Sequence, residues 1–576
     1  MYKPDEALKQ SIDQWIEANQ NDFVRDLAKL VAIPSISVEN DGPWPFGEEC
    51  KNVLDKATEI AGEYGFTVVN HEYHCGSCVV PGTGEHPKRI GMFAHLDVVP
   101  LGDGWQYPPL GCTLKDGFLI GRGVGDNKGP AICALYALRY LKEHKIELKN
   151  DVMIYFGLSE ETGMKDIEYF CKTQQIPDLC LVTDTNFPIC YGEKGLLRAE
   201  LNLRTDGNLI DFHAGSVVNV IPSKAEALLS DVSLEEVKRQ LGDQEALTAE
   251  ADGPHVRITA TGISRHAAFP EGAVNAVQVL AAALSGTTLL QGSCADAVKG
   301  LAELTSDFYG AGADISFEDE ASGKLTAVGS VVRIEAGNMK ILFDVRYPVT
   351  ADGEEVSRRF GACSEKKGFS FRVTELSRPA YQPVNRPYIP LLCDICDDVL
   401  GKHYEPYTMG GGTYSRKLPV AVGFGPGVPD AVNPFESGHG QGHQRDDLVA
   451  FLQVKAGLIL QVLADVSDDA LEHTAGTGNG VLLLAALGHD AHDHLADLLL
   501  VAAAGLGDLG EGGGVDVQGG HVANDLVGVD LAHVIVDLPS GLGQHALGLD
   551  NAVGTVLVAF QFSHGNILLS YDMYEF

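Results

Sequence analysis

Through residues 1–191, short apolar runs alternate with stretches of helical periodicity, the pattern of an α/β sheet. Residues 6–33 carry apolar side chains at helical spacing and predict an amphipathic helix pair ending at Pro34. RIGMFAHLDVVP predicts a buried strand running into a loop, and GPAICALYALRYLKEH a helix with Pro130 in its first turn. DVMIYFGLSEE and DLCLVTDTN are two further apolar strands that end in acidic residues. Three apolar strands thus each end in a charged cluster, and open α/β sheets place their sites at the carboxyl ends of strands.

From about residue 192 the texture changes. LLRAELNLR, KAEALLSDV, HVRITATGIS, SVVRIEAGNMKILFDVRY and FSFRVTEL predict antiparallel strands around helices such as AVNAVQVLAAALSG. This is an α+β domain over 192–382, inserted into a first domain of 1–191 that resumes at 383–466. There the helix PYIPLLCDICDDVLGK and the strand VAVGFGP return to the first sheet, and DDLVAFLQVKAGLILQVLADV predicts a closing helix.

Composition sets limits on this picture. With 576 residues the chain is too long for one core. A formal net charge of −37 repels phosphate backbones and anionic bilayers, which argues against nucleic-acid and membrane-surface partners. No basic stretch followed by an apolar one opens the chain, and no apolar run is long enough to span a bilayer, so the expected location is the cytoplasm. The 12 Cys include two CxxC pairs, Cys75/Cys78 and Cys393/Cys396. Neither has a partner pair at zinc-site spacing, and reduced structural thiols are expected.

Residues 467–576 stand apart. No Lys or Arg follows Lys455, and the tail is built from Gly, Ala, Val, Leu, Asp and His without a fixed period. A fused domain and a His/Asp-rich metal reservoir are two readings. The better one is a reading frame not native to the rest, because a selected soluble segment rarely excludes both basic residues.

The chemistry-bearing residues sit at the strand ends. His95 and Asp97 are two apart on an extended segment and so share a face. Asp126 lies in the glycine-rich GRGVGDNKGP, Glu160 and Glu161 are adjacent in SEET, Asp184 is in TDT, and GHGQGHQRDD supplies His439 and His443. Each fragment alone reads as a core pair, a solvated face or a turn. Together, imidazoles and carboxylates at neighbouring strand ends form the donor set that two divalent ions need, with a carboxylate to spare as a base.

These stretches resemble the M20 family of co-catalytic metallopeptidases and amidohydrolases, particularly its monomeric bacterial dipeptidases of the PepV and Sapep type. The resemblance is carried in family order by GMFAHLDVVPLGDGW, GRGVGDNKGP, FGLSEETGMKDIEYF, TDTNFPICYGEKG, GISRHAAFPEGAVNA, FDVRYP and MGGGTYSRKLP. It implies a mixed-sheet, di-metal exopeptidase domain with an α+β lid. His95, Asp126 and Asp184 would hold one ion, and Asp126, Glu161 and His443 the other, with Asp126 bridging and the Asp126-Asn127 peptide cis. The ions would be zinc first, with manganese or cobalt as alternatives.

Further roles follow from the same resemblance. Asp97 would orient His95, and Glu160 would be the general base. His443 fits the family's HxxDE pattern, except that Asp447 replaces Glu and Arg445 stands where Pro is expected; His439 is the runner-up. In the lid, His266 and Asn219 would reach the scissile carbonyl and Arg346 the substrate carboxylate, while Gly411, Gly412 and Thr413 add backbone donors. The implied activity is dipeptide hydrolysis by a monomer acting on small peptides. An N-acyl amino-acid amidohydrolase is the near rival, and a non-catalytic metal-binding protein the distant one.

Overall fold

The computed structural model describes residues 6–435, 439–440, 442–450, 555–562 and 565–572. The chain divides into two compact units, residues 1–478 and 479–576.

The first unit holds two large sheets. One runs in the order Val68–His71, Cys75–Val80, Asp151–Gly157, Arg89–His95, Leu179–Val182, Ala421–Gly423, Cys190–Glu193, Ala380–Tyr381, and Tyr407–Met409 also pairs with Cys190–Glu193. Its centre is parallel: Arg89–His95 lies between Asp151–Gly157 and Leu179–Val182, with His95 opposite Gly157 and Phe93 opposite Val182. These strands are apolar along almost their whole length because both faces are covered. The helices Glu6–Val31, Glu48–Glu63, Lys128–Glu143 and Tyr388–Leu400 share one core with them.

Glu6–Val31 is a single helix of 26 residues and not the expected pair. No Gly or Pro interrupts it, and polar Asn and Gln at its centre do not break a helix whose apolar stripe stays buried. Leu448–Ala450 is a second difference: instead of opening a helix it adds a strand to Phe118–Ile120, so an apolar triplet pairs with an apolar triplet. The rest of the expected closing helix lies outside the described residues.

The second sheet is antiparallel and built wholly from residues 195–377. Its order is Leu247–Asp252, His255–Thr261, Lys224–Leu229, Leu209–Ala214, Thr326–Glu335, Asn338–Tyr347, Gly195–Arg204, Ser370–Ser377. Alternating burial along His255–Thr261 shows one face packed and the other turned outward. Helices Ala276–Ser285, Ser293–Leu304 and Gly353–Lys366 complete a core separate from the first.

All twelve cysteines are free thiols, ten of them buried, including both CxxC pairs. In the second unit the described part is one antiparallel hairpin, Thr555–Phe562 with Gly565–Asp572. The other expectations for 467–576 fall outside the described residues.

Candidate metal centre

Parallel pairing brings three carboxyl ends side by side. Arg89–His95 ends on His95, Asp151–Gly157 leads into Ser159-Glu160-Glu161, and Leu179–Val182 leads into Asp184. The fourth contributor is the loop before helix Lys128–Glu143, which carries Asp126 and a cis Asp126-Asn127 peptide, as the family resemblance implied.

His95 is 1% exposed. Its Nδ1 lies 2.9 Å from the Asp97 carbonyl and 3.3 Å from the Asp97 carboxylate, and two acceptors there fix the proton on Nδ1. Nε2 is then turned to the acids, 3.1 Å from Asp126 Oδ1 and 3.8 Å from Asp184 Oδ2. Asp97 also does something the sequence did not reveal. Its two oxygens accept the backbone N–H groups of Glu160 at 3.2 Å and Glu161 at 3.1 Å, so one carboxylate positions the whole acidic pair.

Asp126 faces two ways. Oδ1 meets His95 and Oδ2 lies 3.1 Å from His443 Nε2, which is also 2.9 Å from Glu161 Oε2. His443, with a left-handed backbone (φ 65°), is therefore the late histidine that reaches the carboxylates. His439 is committed elsewhere: its Nδ1 is 2.6 Å from Asp446, which in turn accepts the N–H groups of Gln106 and Tyr107. Asp447 tethers this segment to the Asp126 loop, its carboxylate accepting the Gly123 N–H at 2.9 Å and its carbonyl that of Gly121 at 2.9 Å.

Two groups of possible ligand atoms lie within 4.8 Å of one another: His95, Glu160 and Asp184, and His95, Asp126 and Glu161. The electrostatics ask for added positive charge. Burial, reinforced by neighbouring acids, pushes the carboxyls of Glu160 and Asp184 well above their ordinary range, and burial raises Glu161 as well. Asp126 is held low: burial opposes its charge, but the bonds from His443 and His95 outweigh it. Bonds to Asp126 and Glu161 raise His443 to about 11. Among the described residues Glu161 Oε1 is buried without a hydrogen-bond partner, which costs on the order of 1–3 kcal/mol unless a ligand meets it. Imidazole nitrogens among carboxylate oxygens, one of them orphaned, fit divalent cations.

Several supporting residues escaped sequence reasoning. Asn127 accepts the His95 N–H through Oδ1 at 3.2 Å and donates from Nδ2 to Thr183 O at 2.7 Å and Asp184 Oδ1 at 3.0 Å. Asp166 accepts the N–H groups of Leu158 at 2.7 Å and Ser159 at 3.0 Å, and the Tyr414 hydroxyl. Adjacency to Asp126 was the available signal for Asn127. Asp166 is six residues beyond Glu160 on the next helix and gave none.

On the lid, His266 Nδ1 accepts the Ala268 N–H at 3.1 Å, which places the neutral ring's proton on Nε2, 3.5 Å from Asn219 Nδ2. Burial and the charge of Arg346 push His266 below its ordinary value, and His443 is near enough to add to that shift. Arg346 is buried and donates from Nε and Nη2 to the two oxygens of Asp344, at 2.6 and 3.0 Å, and from Nη1 to Gly410 O at 3.1 Å. Of five guanidinium N–H donors, two remain. In the glycine loop, Gly411 and Gly412 follow Gly410, but Thr413 is spent: its N–H and hydroxyl both go to buried Glu193, at 2.9 and 2.6 Å. The expectation that Thr413 offers donors to a substrate is corrected on that ground.

Part-buried carboxylates gathered around buried His95 at the carboxyl ends of parallel strands, closed by the Asp126 loop and exposed His443, define a metal-dependent hydrolase. Residues 91–440 match peptidase family M20/M25/M40, and the chain belongs to that family. It is 30% identical over 453 residues to YtjP of Bacillus subtilis (strain 168), a provisionally named dipeptidase, across 75% of this chain and 93% of that one. It is also 30% identical over 474 residues to the Beta-Ala-Xaa dipeptidase of Lactobacillus delbrueckii subsp. lactis, across 78% and 97%. The solved structure of human carnosine dipeptidase 1 aligns at TM-score 0.48 and 15% identity, covering 82% of this chain and 100% of that one.

Proposed function

We propose that the protein hydrolyses dipeptides with two divalent cations, zinc in the first place and manganese or cobalt as alternatives. His95, Asp126 and Asp184 would hold one cation and Asp126, Glu161 and His443 the other. The observation that carries this reading is Asp126, whose two oxygens each lie 3.1 Å from a different histidine, the disposition of a bridging carboxylate. Cations bound there would supply Lewis-acid polarisation of the scissile carbonyl and lower the pKa of an attacking water.

The remaining steps belong to the chain. Glu160, with its buried carboxyl pushed upward, takes a proton from the attacking water and returns it to the leaving amine. Asp97 holds Glu160 in place through its backbone N–H and fixes the His95 tautomer. His266 directs its Nε2 proton, and Asn219 its amide, at the developing negative charge on the carbonyl oxygen. The two remaining donors of Arg346, with the N–H groups of Gly411 and Gly412, receive the free carboxylate. That limits substrates to short ones. The dipeptidase names of the relatives favour dipeptides over N-acyl amino acids.

The reading includes a monomer acting in the cytoplasm, since one chain carries both the ligands and the lid residues. Among the described residues no helix is long and apolar enough to cross a membrane. An assay over dipeptides and N-acyl amino acids, with zinc, manganese or cobalt added after chelation, tests the proposal. Dipeptide turnover restored by metal is expected. Turnover confined to N-acyl substrates, or indifferent to chelation, would overturn it.

A further inference from the structure

Beside the lid lies a cavity of about 310 Å³, lined among others by Lys194, Lys324, Thr326, Tyr309, Ala268 and Gly410. A water molecule takes up about 30 Å³, so this space holds a group the size of a side chain. Its wall is shared with the lid machinery. Gly410 supplies the carbonyl that Arg346 binds, and Ala268 the N–H that His266 accepts.

Three of the polar groups lining it, Lys194, Lys324 and Thr326, are donors short of acceptors, whereas the Thr408 hydroxyl is bonded to Ala321 O at 3.0 Å. Lys194 joins the strands Cys190–Glu193 and Gly195–Arg204 and is 9% exposed. Its ammonium has three N–H donors and one hydrogen-bond acceptor among the described residues, the carbonyl of Lys324. No carboxylate lies within 4.0 Å of it or of Lys324 Nζ among those residues. Lys324 is placed 5.3 Å from the Tyr309 ring centroid. The Thr326 hydroxyl is buried with no hydrogen-bond partner among the described residues, in a residue 3% exposed. Ser322, by contrast, is satisfied by Asp319 and Val349. The single acid on the lining, Glu271, is solvent-exposed.

A part-buried ammonium on a residue only 9% exposed and an orphaned hydroxyl around an open volume are costly unless an acceptor occupies it. Given the dipeptidase reading and its placement of the substrate's C-terminus at Arg346, we propose that this cavity receives the side-chain carboxylate of an acidic C-terminal residue. Xaa-Glu and Xaa-Asp are then the preferred dipeptides, bound by Lys194 and Thr326 with Lys324 adding charge. Burial pushes the Lys194 ammonium below its ordinary value, with Asp319 and Glu271 only partly restoring it, as expected of a cation that lacks a close counter-ion.

The test compares kcat/KM for Ala-Glu, Ala-Gln and Ala-Leu, with Ala-Glu amide and N-acetyl-Glu against N-acetyl-Gln as further arms. The wild type should favour Ala-Glu over Ala-Gln by about 10- to 100-fold, the worth of a hydrogen bond to a charged group. In Lys194→Met that ratio should collapse toward one. Thr326→Val removes a hydroxyl at nearly constant volume and should cut the ratio by about 3- to 10-fold, so the inference stays testable even if Lys194→Met does not fold. No Glu-over-Gln preference in the wild type, or a Lys194→Met loss shared equally by all three dipeptides, would overturn it. If Ala-Glu amide loses the preference, Lys194 binds the main-chain carboxylate and the inference fails. If no dipeptide is cleaved, the parent reading fails, and the pocket is then judged by the N-acetyl-Glu to N-acetyl-Gln ratio alone.

Discussion

Asp97 shows how much one side chain arranges: its carbonyl and carboxylate hold His95, and its carboxylate also gathers the N–H groups of Glu160 and Glu161. If Glu160 is the base, Glu160→Gln keeps the shape and backbone bond but removes the proton acceptor. Activity should fall by at least about 10²-fold with two metals per chain still bound, read by assay and elemental analysis together. Metal loss would show instead that Glu160 is a ligand. The two late histidines separate in the same way. His443→Ala should lose one ion and most activity, because its Nε2 sits between Asp126 and Glu161. His439→Ala should keep both ions and lower the melting temperature, because it takes the imidazole from buried Asp446 and leaves that carboxylate the N–H groups of Gln106 and Tyr107. The reverse ranking would move the ligand assignment upstream. The candidate ligands were legible only in combination, since each fragment alone reads as a core pair, a solvated face or a turn, and their pairing into two sets came from the family resemblance. Asn127, Asp166 and Glu193 were not, since their partners are backbone groups or distant side chains that no local pattern marks.

At the scale of elements, the apolar periodicity revealed both sheets, but not the continuity of Glu6–Val31, which tertiary packing decides. Asp26 on that helix is fully buried and accepts from the Tyr64 hydroxyl and, at 2.8 Å, from the Tyr136 hydroxyl of helix Lys128–Glu143, with Lys29 at 3.2 Å. Burial raises its pKa, but those hydrogen bonds win and hold it below the usual carboxylate value. A depressed folded pKa contributes stability above the ordinary value of about 3.9, lost as pH falls through the folded one. Asp26→Asn should therefore cost about 1–3 kcal/mol at neutral pH, with the gap to wild type closing below about pH 4. Melting curves across pH 3–8 would check this, and a gap that widens toward acid would refute it. The lid has a comparable coupling in Arg346, whose removal takes two close donors from Asp344, 0% exposed, and leaves it facing Arg198 at 3.5 Å. Arg346→Ala should both lower the melting temperature and raise KM for free dipeptides more than for C-terminal amides. Equal KM effects on both would leave Arg346 purely structural.

At the scale of the whole molecule, the inferred ligands and the two principal cores of the described residues all lie before residue 444. The two principal apolar cores run from Ile12 to Phe424, and the candidate ligands from His95 to His443. The family match occupies 91–440, and the Bacillus subtilis relative is covered over 93% of its length by 75% of this chain. The absence of Lys and Arg after Lys455 also separates the two parts by composition, which no packing argument requires and no inferred ligand crosses. A chain ending at Gly478, the boundary of the first compact unit, should therefore keep two-metal binding and dipeptidase activity within the error of the assay. The hairpin Thr555–Phe562 with Gly565–Asp572 pairs its strands with each other and supplies none of the inferred ligands. The measurement is kcat/KM and metal content of the shortened and full chains side by side. If the shortened chain loses a metal or its activity while its melting curve is unchanged, residues after Gly478 take part in the site and this assignment of the chemistry to the first unit fails.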